Sequence, residues 1–155
     1  MDNIADQYAA SDALREFPVV IRLPIQWSDL DVYGHVNNVV YLKWFEAARI
    51  AYASRVGVEV LARDRGVGAI LMSVTCNYLR PLAYPGDVLS AVRITRLTIG
   101  AITLNYVIAN ARTGVPAADG SSDAVLYDYA ADRPISVPDH IRAAVESLEG
   151  KSFPV

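Results

Sequence analysis

The sequence predicts an α+β domain: one long helix held against a curved antiparallel sheet. Three observations carry that expectation. The run "VVYLKWFEAARIAYASRVG" holds no Gly or Pro until Gly57 and is rich in helix formers. Four strand-like runs follow, "VGAILMSVTCNYL", "DVLSAVRITRLTI", "AITLNYVIAN" and "SDAVLYDYA". Between them lie "RPLAYPGD", "IGA" and "RTGVPAADGS", short connections with turn chemistry. Parallel pairs need long crossovers, so these strands form antiparallel hairpins.

The elements follow in order. Residues 1 to about 16 read as a loose leading helix or a mobile segment. In "FPVVIRLPIQW", Val20, Arg22 and Pro24 alternate with Ile21, Leu23 and Ile25, which predicts a first strand. Pro24 suits an edge or a bulge. A polar stretch, "WSDLDVYGHVNN", comes next, and then the long helix. Its apolar residues run nearly all the way round, leaving Lys43, Glu46 and Arg49 as a narrow polar line, so it is expected to be buried on most sides. Gly57 is the stop. "EVLARDRG" reads as a loop. In the second strand run Val88, Ser90, Val92, Ile94 and Arg96 oppose Leu89, Ala91, Arg93 and Thr95. "SVPDHIRAAVESLEG" predicts a closing surface helix, with Pro138 near its start, Ile141, Val145 and Leu148 on one face, and Gly150 as the stop.

Composition bounds the function. The chain has 155 residues, 53% of them hydrophobic, enough for one domain with a substantial core. A net charge of −3 argues against a nucleic-acid groove. One cysteine, Cys76, permits no intrachain disulfide. With only two histidines besides, His35 and His140, a protein-built zinc site is not expected. No apolar run reaches the ~20 residues that span a bilayer. The first residues lack a basic start followed by an apolar core, so a cytoplasmic protein is expected.

The polar stretch is the candidate site. Gly34 lets the backbone turn sharply, and His35 to Asn38 then stand at the start of the apolar helix. A helix start offers unpaired N–H donors and about half a positive charge. That suits an oxygen that becomes negative during reaction. Asp31 lies just before it. One cap needs one residue, whereas this run supplies Asp29, Asp31, His35, Asn37 and Asn38. Glu46 is a rival carboxylate, but it lies ~16 Å along the helix from His35.

"SDLDVYGHVNNVVYLKWFEAAR" resembles the opening motif of the hotdog-fold acyl-CoA thioesterases of the 4-hydroxybenzoyl-CoA thioesterase-like group, D-x-D-x-x-G-H-V-N-N-x-x-Y followed by an aromatic, an acid and an Arg. "NYLRPLAYPGDVL" and "ISVPDHIRAAVE" resemble two later motifs of the same family. The resemblance implies a hotdog fold, a five-stranded antiparallel sheet wrapped around a long central helix. It places that domain at residues 18–150, behind an extension of residues 1–17. It implies hydrolysis of an acyl-CoA thioester without metal or cofactor, with Asp31 as nucleophile or general base. His35, Asn37 and Asn38 complete the catalytic cluster, and Gly34 and Tyr41 fall on family positions at the substrate. An acyl carrier protein is an alternative carrier. The family further implies a homodimer or homotetramer with shared sites.

Arg80, Arg93 and Arg96 are candidates for the phosphates of CoA, since Arg binds phosphate bidentately; solvent-facing strand charge is the alternative. Cys76 alternates with Val74 and Tyr78 and reads as a small packing residue. Two other functions stay open: a hotdog hydratase or dehydratase using His35, and a non-catalytic acyl-thioester binder.

Overall fold

The computed structural model describes residues 12–155. The expected leading helix falls largely outside them; within them a 3₁₀ turn spans Asp12–Leu14. Six strands form one sheet: β1 (Val19–Pro24), β2 (Val67–Tyr78), β3 (Asp87–Leu97), β4 (Ile102–Asn110), β5 (Pro116–Asp128) and β6 (Arg133–Ile135). Their order is β1-β3-β4-β5-β2, with β6 on β5, and every pairing is antiparallel. Helix α1 (Asn38–Val56) packs against the sheet, α2 (Val58–Arg65) follows it, and α3 (Asp139–Glu149) closes the domain. No helix among the described residues is long and apolar enough to cross a membrane.

Helix α1 buries Val40, Tyr41, Trp44, Phe45, Ala48, Tyr52 and Val56, one stripe at spacings of one, three and four. The expectation of burial on most sides therefore needs correction. Ile50 is 61% exposed and Val39 is exposed too, so a second apolar flank of α1 faces outward in the single chain. The stripe is fixed to the sheet by specific contacts. Phe45 stacks on Tyr106 at 4.4 Å between ring centroids. Buried Ser90 Oγ donates to the Trp44 carbonyl at 2.8 Å. Glu149 Oε1 accepts from Tyr52 OH and from Ile94 N–H, both at 2.7 Å, tying α3 to α1 and β3. Gly57 ends α1 in the left-handed conformation, φ 87°.

Three elements differ from the sequence reading. Residues 58–65 form a helix rather than a loop, because Val58 and Leu61 bury one face while Gly57 and Gly66 turn left-handed at either end. β5 starts at Pro116, inside a segment read as a turn. Pro116 is tolerated as the first strand residue. Gly120 is demanded by packing: a Cβ there would run into the Thr75 carbonyl of β2 and meet the Phe45 ring at 2.7 Å. The short β6 supplies a sixth strand beyond the expected five, pairing with Leu126–Asp128 of β5.

The sheet is covered on both faces near its β1–β3 end. Leu14 and Val20 form a second small core with Leu89, Ala91, Ala109 and Ala111, against which Phe17 packs. This explains why β3 is buried without interruption from Val88 to Val92. Residues 12–17 thus lie on the outer face of the sheet. At the other end, Phe153 is buried beyond α3 and its N–H meets Glu146 Oε1 at 2.9 Å.

Candidate active site

The polar stretch is a hydrogen-bonded turn that delivers the chain into α1. A 3₁₀ turn, Trp27–Asp29, opens it. Asp29 accepts from Gln26 N–H at 2.7 Å and so serves the turn. Asp31 N–H donates to the His35 carbonyl at 2.8 Å, and Leu30 bridges Val36. Asp31 Oδ1 accepts from Tyr33 N–H at 2.9 Å, an Asx turn. Gly34 closes the loop with φ 78°, which a residue bearing a Cβ adopts only with strain. Asn37 is the N-cap of α1, its Oδ1 accepting from Val39 N–H at 3.1 Å.

Val36 N–H donates to the Leu82 carbonyl, Asn37 N–H to that of Asp29, and Val40 N–H to that of Asn37. Val39 is capped by Asn37. The N–H groups of His35 and Asn38 appear in none of these bonds, and both residues line an open cleft of ≈ 350 Å³. Asp31, Tyr41 and Arg80 line the same cleft, as do Tyr78 and Leu79 from the end of β2. Asp31, Arg80 and two residues around the start of α1, His35 and Asn38, therefore line one opening.

Tyr41 and Tyr78 form the wall. Their rings meet edge to face at 5.1 Å. Tyr78 OH donates to the Asn38 carbonyl at 3.0 Å, which pins the first turn of α1 to β2. Burial, reinforced by Cys76 and Tyr78 beside it, pushes the Tyr41 phenol up to about 12, so it stays a neutral hydrogen-bonding group at ordinary pH. Cys76 packs against the core, and burial raises its thiol as well, the opposite of what a thiolate nucleophile needs.

The remaining candidates lie elsewhere. Asn37 and Gly34 shape the turn but do not line the cleft. Arg93 and Arg96 do not line it. Arg93 is half-buried, pairs with Glu16 at 2.7 Å and faces the Phe17 ring. Arg96 is exposed near the far end of β3 from Asp87. Arg80 is in the cleft wall and donates one N–H to the Pro116 carbonyl at 3.0 Å. Tyr78 was missed as a cleft residue; its alternation with Cys76, toward the helix side, was the available signal. Among the described residues no three His, Cys, Asp or Glu side chains are grouped to hold a metal ion.

The chain is similar to known proteins in sequence and in fold. Residues 25–145 match the model of the thioesterase-like superfamily. A thioesterase of Thermus thermophilus, solved with coenzyme A and zinc, is 31% identical, with 88% of this chain and 98% of that one aligned and a TM-score of 0.76. The PA5185 protein of Pseudomonas aeruginosa is 26% identical, with 90% and 95% covered and a TM-score of 0.78. An acyl-acyl carrier protein thioesterase of Arabidopsis thaliana chloroplasts, ATL2, is 27% identical over 124 residues, 79% of this chain and 65% of that protein. The YsmA protein of Bacillus subtilis is 25% identical over 57% of this chain and 59% of its own length, so the chain spans about three-fifths of these two curated relatives. A six-stranded antiparallel sheet against one long helix and these matches identify the chain as a member of the thioesterase-like superfamily, with a hotdog fold.

Proposed function

We propose that the protein hydrolyses acyl-CoA thioesters in the cleft at the start of α1, with Asp31 as nucleophile or general base. The observation that supports this is that Asp31, His35 and Asn38 line one cleft, and that the N–H groups of His35 and Asn38 are absent from the backbone bonds of the turn. In the nucleophilic route an Asp31 oxygen attacks the thioester carbon. The C–S bond breaks, CoA leaves as thiolate, and water then hydrolyses the mixed anhydride. In the general-base route Asp31 takes a proton from a water that attacks directly. In both, the two N–H groups and the positive end of α1 stabilise the charge that develops on the carbonyl oxygen. A thiolate leaves readily, so no strong acid is required.

Coenzyme A is preferred as carrier because the Thermus relative was solved with it and because Arg80 offers a phosphate partner at the cleft. The Arabidopsis relative keeps an acyl carrier protein as the second candidate. His35 in the cleft wall keeps a hydratase as the rival reaction. A thiol-release assay over short, medium, long and aromatic acyl-CoAs separates these. Hydrolysis frees a thiol, hydration changes only enoyl absorbance, and a binder does neither. Absence of thiol from every acyl-CoA and acyl carrier protein substrate overturns the proposal.

A homodimer formed through β2 is part of the reading. β2 is an edge strand of 12 residues, "VGAILMSVTCNY", with no charged residue and no proline. Exposed edges of this kind pair with another chain unless blunted. At the opposite edge, β1 has six residues and carries Arg22 and Pro24. Met72, at the middle of β2, is 66% exposed and forms a bulge between Leu71 and Ser73. Antiparallel pairing of two β2 edges about a two-fold axis near Met72 covers this strand in an isologous contact.

A further inference from the structure

We infer that the Tyr41 hydroxyl is a catalytic hydrogen-bond donor to the sulfur of the departing thiol, and that Tyr78 is the residue that positions it. This deepens the thioester-hydrolase reading above and rests on it. Tyr41 is 3% exposed and lines the Asp31 cleft. Its ring is clasped edge to face by Trp44, at 5.2 Å between centroids, and by Tyr78 at 5.1 Å. Among the described residues its hydroxyl finds no hydrogen-bond partner, yet it is not one of the polar atoms sealed from solvent. The other two deeply buried tyrosines are both engaged. Tyr52 OH donates to Glu149 at 2.7 Å, and Tyr106 OH meets Ser122 Oγ at 2.6 Å. Buried tyrosine hydroxyls normally find a partner. Phenylalanine would pack as well, so the Tyr41 hydroxyl is the one buried phenol left for solvent or for a molecule that enters the cleft.

The helix sets where that ring lies. Tyr41 follows Asn38 by three residues on α1, so the two share a helix face. Side chains on a helix lean toward its N-terminus, which carries the Tyr41 ring over the first turn. Tyr78 closes the other side. Its OH donates to the Asn38 carbonyl at 3.0 Å, so the ring that abuts Tyr41 is itself tied to the helix start. Held by Trp44 and Tyr78, the hydroxyl is placed with little rotational freedom. Burial, with Cys76 and Tyr78 beside it, pushes the phenol up to about 12. At neutral pH it is therefore a donor and not a base.

The needs of the reaction assign the donor. Attack on the thioester puts charge on the carbonyl oxygen, which the start of α1 serves. The attacking oxygen, of Asp31 or of a water, needs an acceptor for its proton or none at all. The third centre is sulfur, which takes the electron pair as the C–S bond breaks. His35 also lines the cleft, but it is exposed and no side-chain bond fixes its ring among the described residues. Tyr41 is held on two sides. A phenol at about 12 does not surrender its proton to a thiolate, whose acid form titrates at about 8.5 in free cysteine. The contact stays a hydrogen bond: the pair goes to sulfur, the phenol keeps its proton, and water protonates the freed thiolate.

The test is Tyr41→Phe, which keeps the ring between Trp44 and Tyr78 and removes one oxygen. Two thioesters of one acyl group, the one wild-type protein hydrolyses fastest, are compared by kcat/KM, which reports the steps through C–S cleavage. One is the acyl-CoA; the other is the acyl thionitrobenzoate, whose stabilised thiolate leaves without help. Tyr41→Phe should lose at least tenfold more on acyl-CoA than on acyl thionitrobenzoate. Tyr78→Leu, which removes the ring that holds Tyr41, should shift that ratio the same way. The double variant should shift it no further than Tyr41→Phe alone. Thermal denaturation reads the fold separately: an unpartnered hydroxyl adds nothing to stability, so Tyr41→Phe should melt no lower than wild type. Equal losses on both thioesters put the hydroxyl elsewhere than at sulfur and overturn the inference. So does an unchanged kcat/KM on acyl-CoA, or a Tm lowered by more than about 4 °C, the mark of a lost internal bond. A wild-type ratio in Tyr78→Leu overturns the positioning role. Wild-type protein that frees no thiol from either thioester overturns the hydrolase reading and this inference with it, whereas hydrolysis with equal losses overturns this inference alone.

Discussion

Replacing Asp31 by Asn separates chemistry from folding with little ambiguity. The carboxylate is exposed, and its one internal hydrogen bond among the described residues is Oδ1 accepting from Tyr33 N–H at 2.9 Å. Asn retains an oxygen at that position, so the Asx turn survives. The stability change should stay within about 1 kcal/mol, the scale of one such bond. For a domain of this size that is a shift of about 2–4 °C in Tm. The catalytic effect is far larger. Asn neither attacks the carbonyl nor takes a proton from water, and a positioned base typically contributes ~10²–10⁴-fold. The N–H groups of His35 and Asn38 are untouched, so acyl-CoA should still bind. Thiol release under saturating acyl-CoA, thermal denaturation and binding of a thioether analogue measure the three quantities independently. Near-full turnover in Asp31→Asn, with activity lost in Glu46→Gln, would refute the assignment and hand the reaction to the helix carboxylate.

Three further outcomes follow from the same geometry. Arg80→Ala should raise KM for acyl-CoA more than it lowers kcat and leave acyl-pantetheine substrates nearly unaffected, because phosphates lie far from the reacting carbon; equal losses on both substrates exclude a phosphate role. Met72→Arg places charge at the middle of the β2 edge, and light scattering should then show a shift toward the 16.9 kDa monomer, whereas wild-type protein that is already a fully active monomer excludes the shared site. Glu149→Ala leaves the buried Tyr52 OH and the Ile94 N–H without their acceptor, so it should destabilise the fold by about 2–4 kcal/mol, while Glu149→Gln, which keeps an acceptor oxygen, should lose much less.

What could be read from the sequence, and what could not, follows the range of the interactions involved. Helix α1, its Gly57 stop and the long hairpins are written in local periodicity and turn chemistry. Asp31, His35 and Asn38 are sequence neighbours at a helix start, so their meeting is a local fact too. Tyr41 stands one turn further along the same helix. Helix α2 was hidden because eight residues between two glycines are too few to announce a helix without tertiary support. The start of β5 was hidden because Pro116 and Gly120 carry turn chemistry, and only the Thr75 carbonyl of β2 and the Phe45 ring of α1, both remote in sequence, explain the glycine. The outer-face partners of Arg93, Glu16 and Phe17, come from a segment whose placement no periodicity announces.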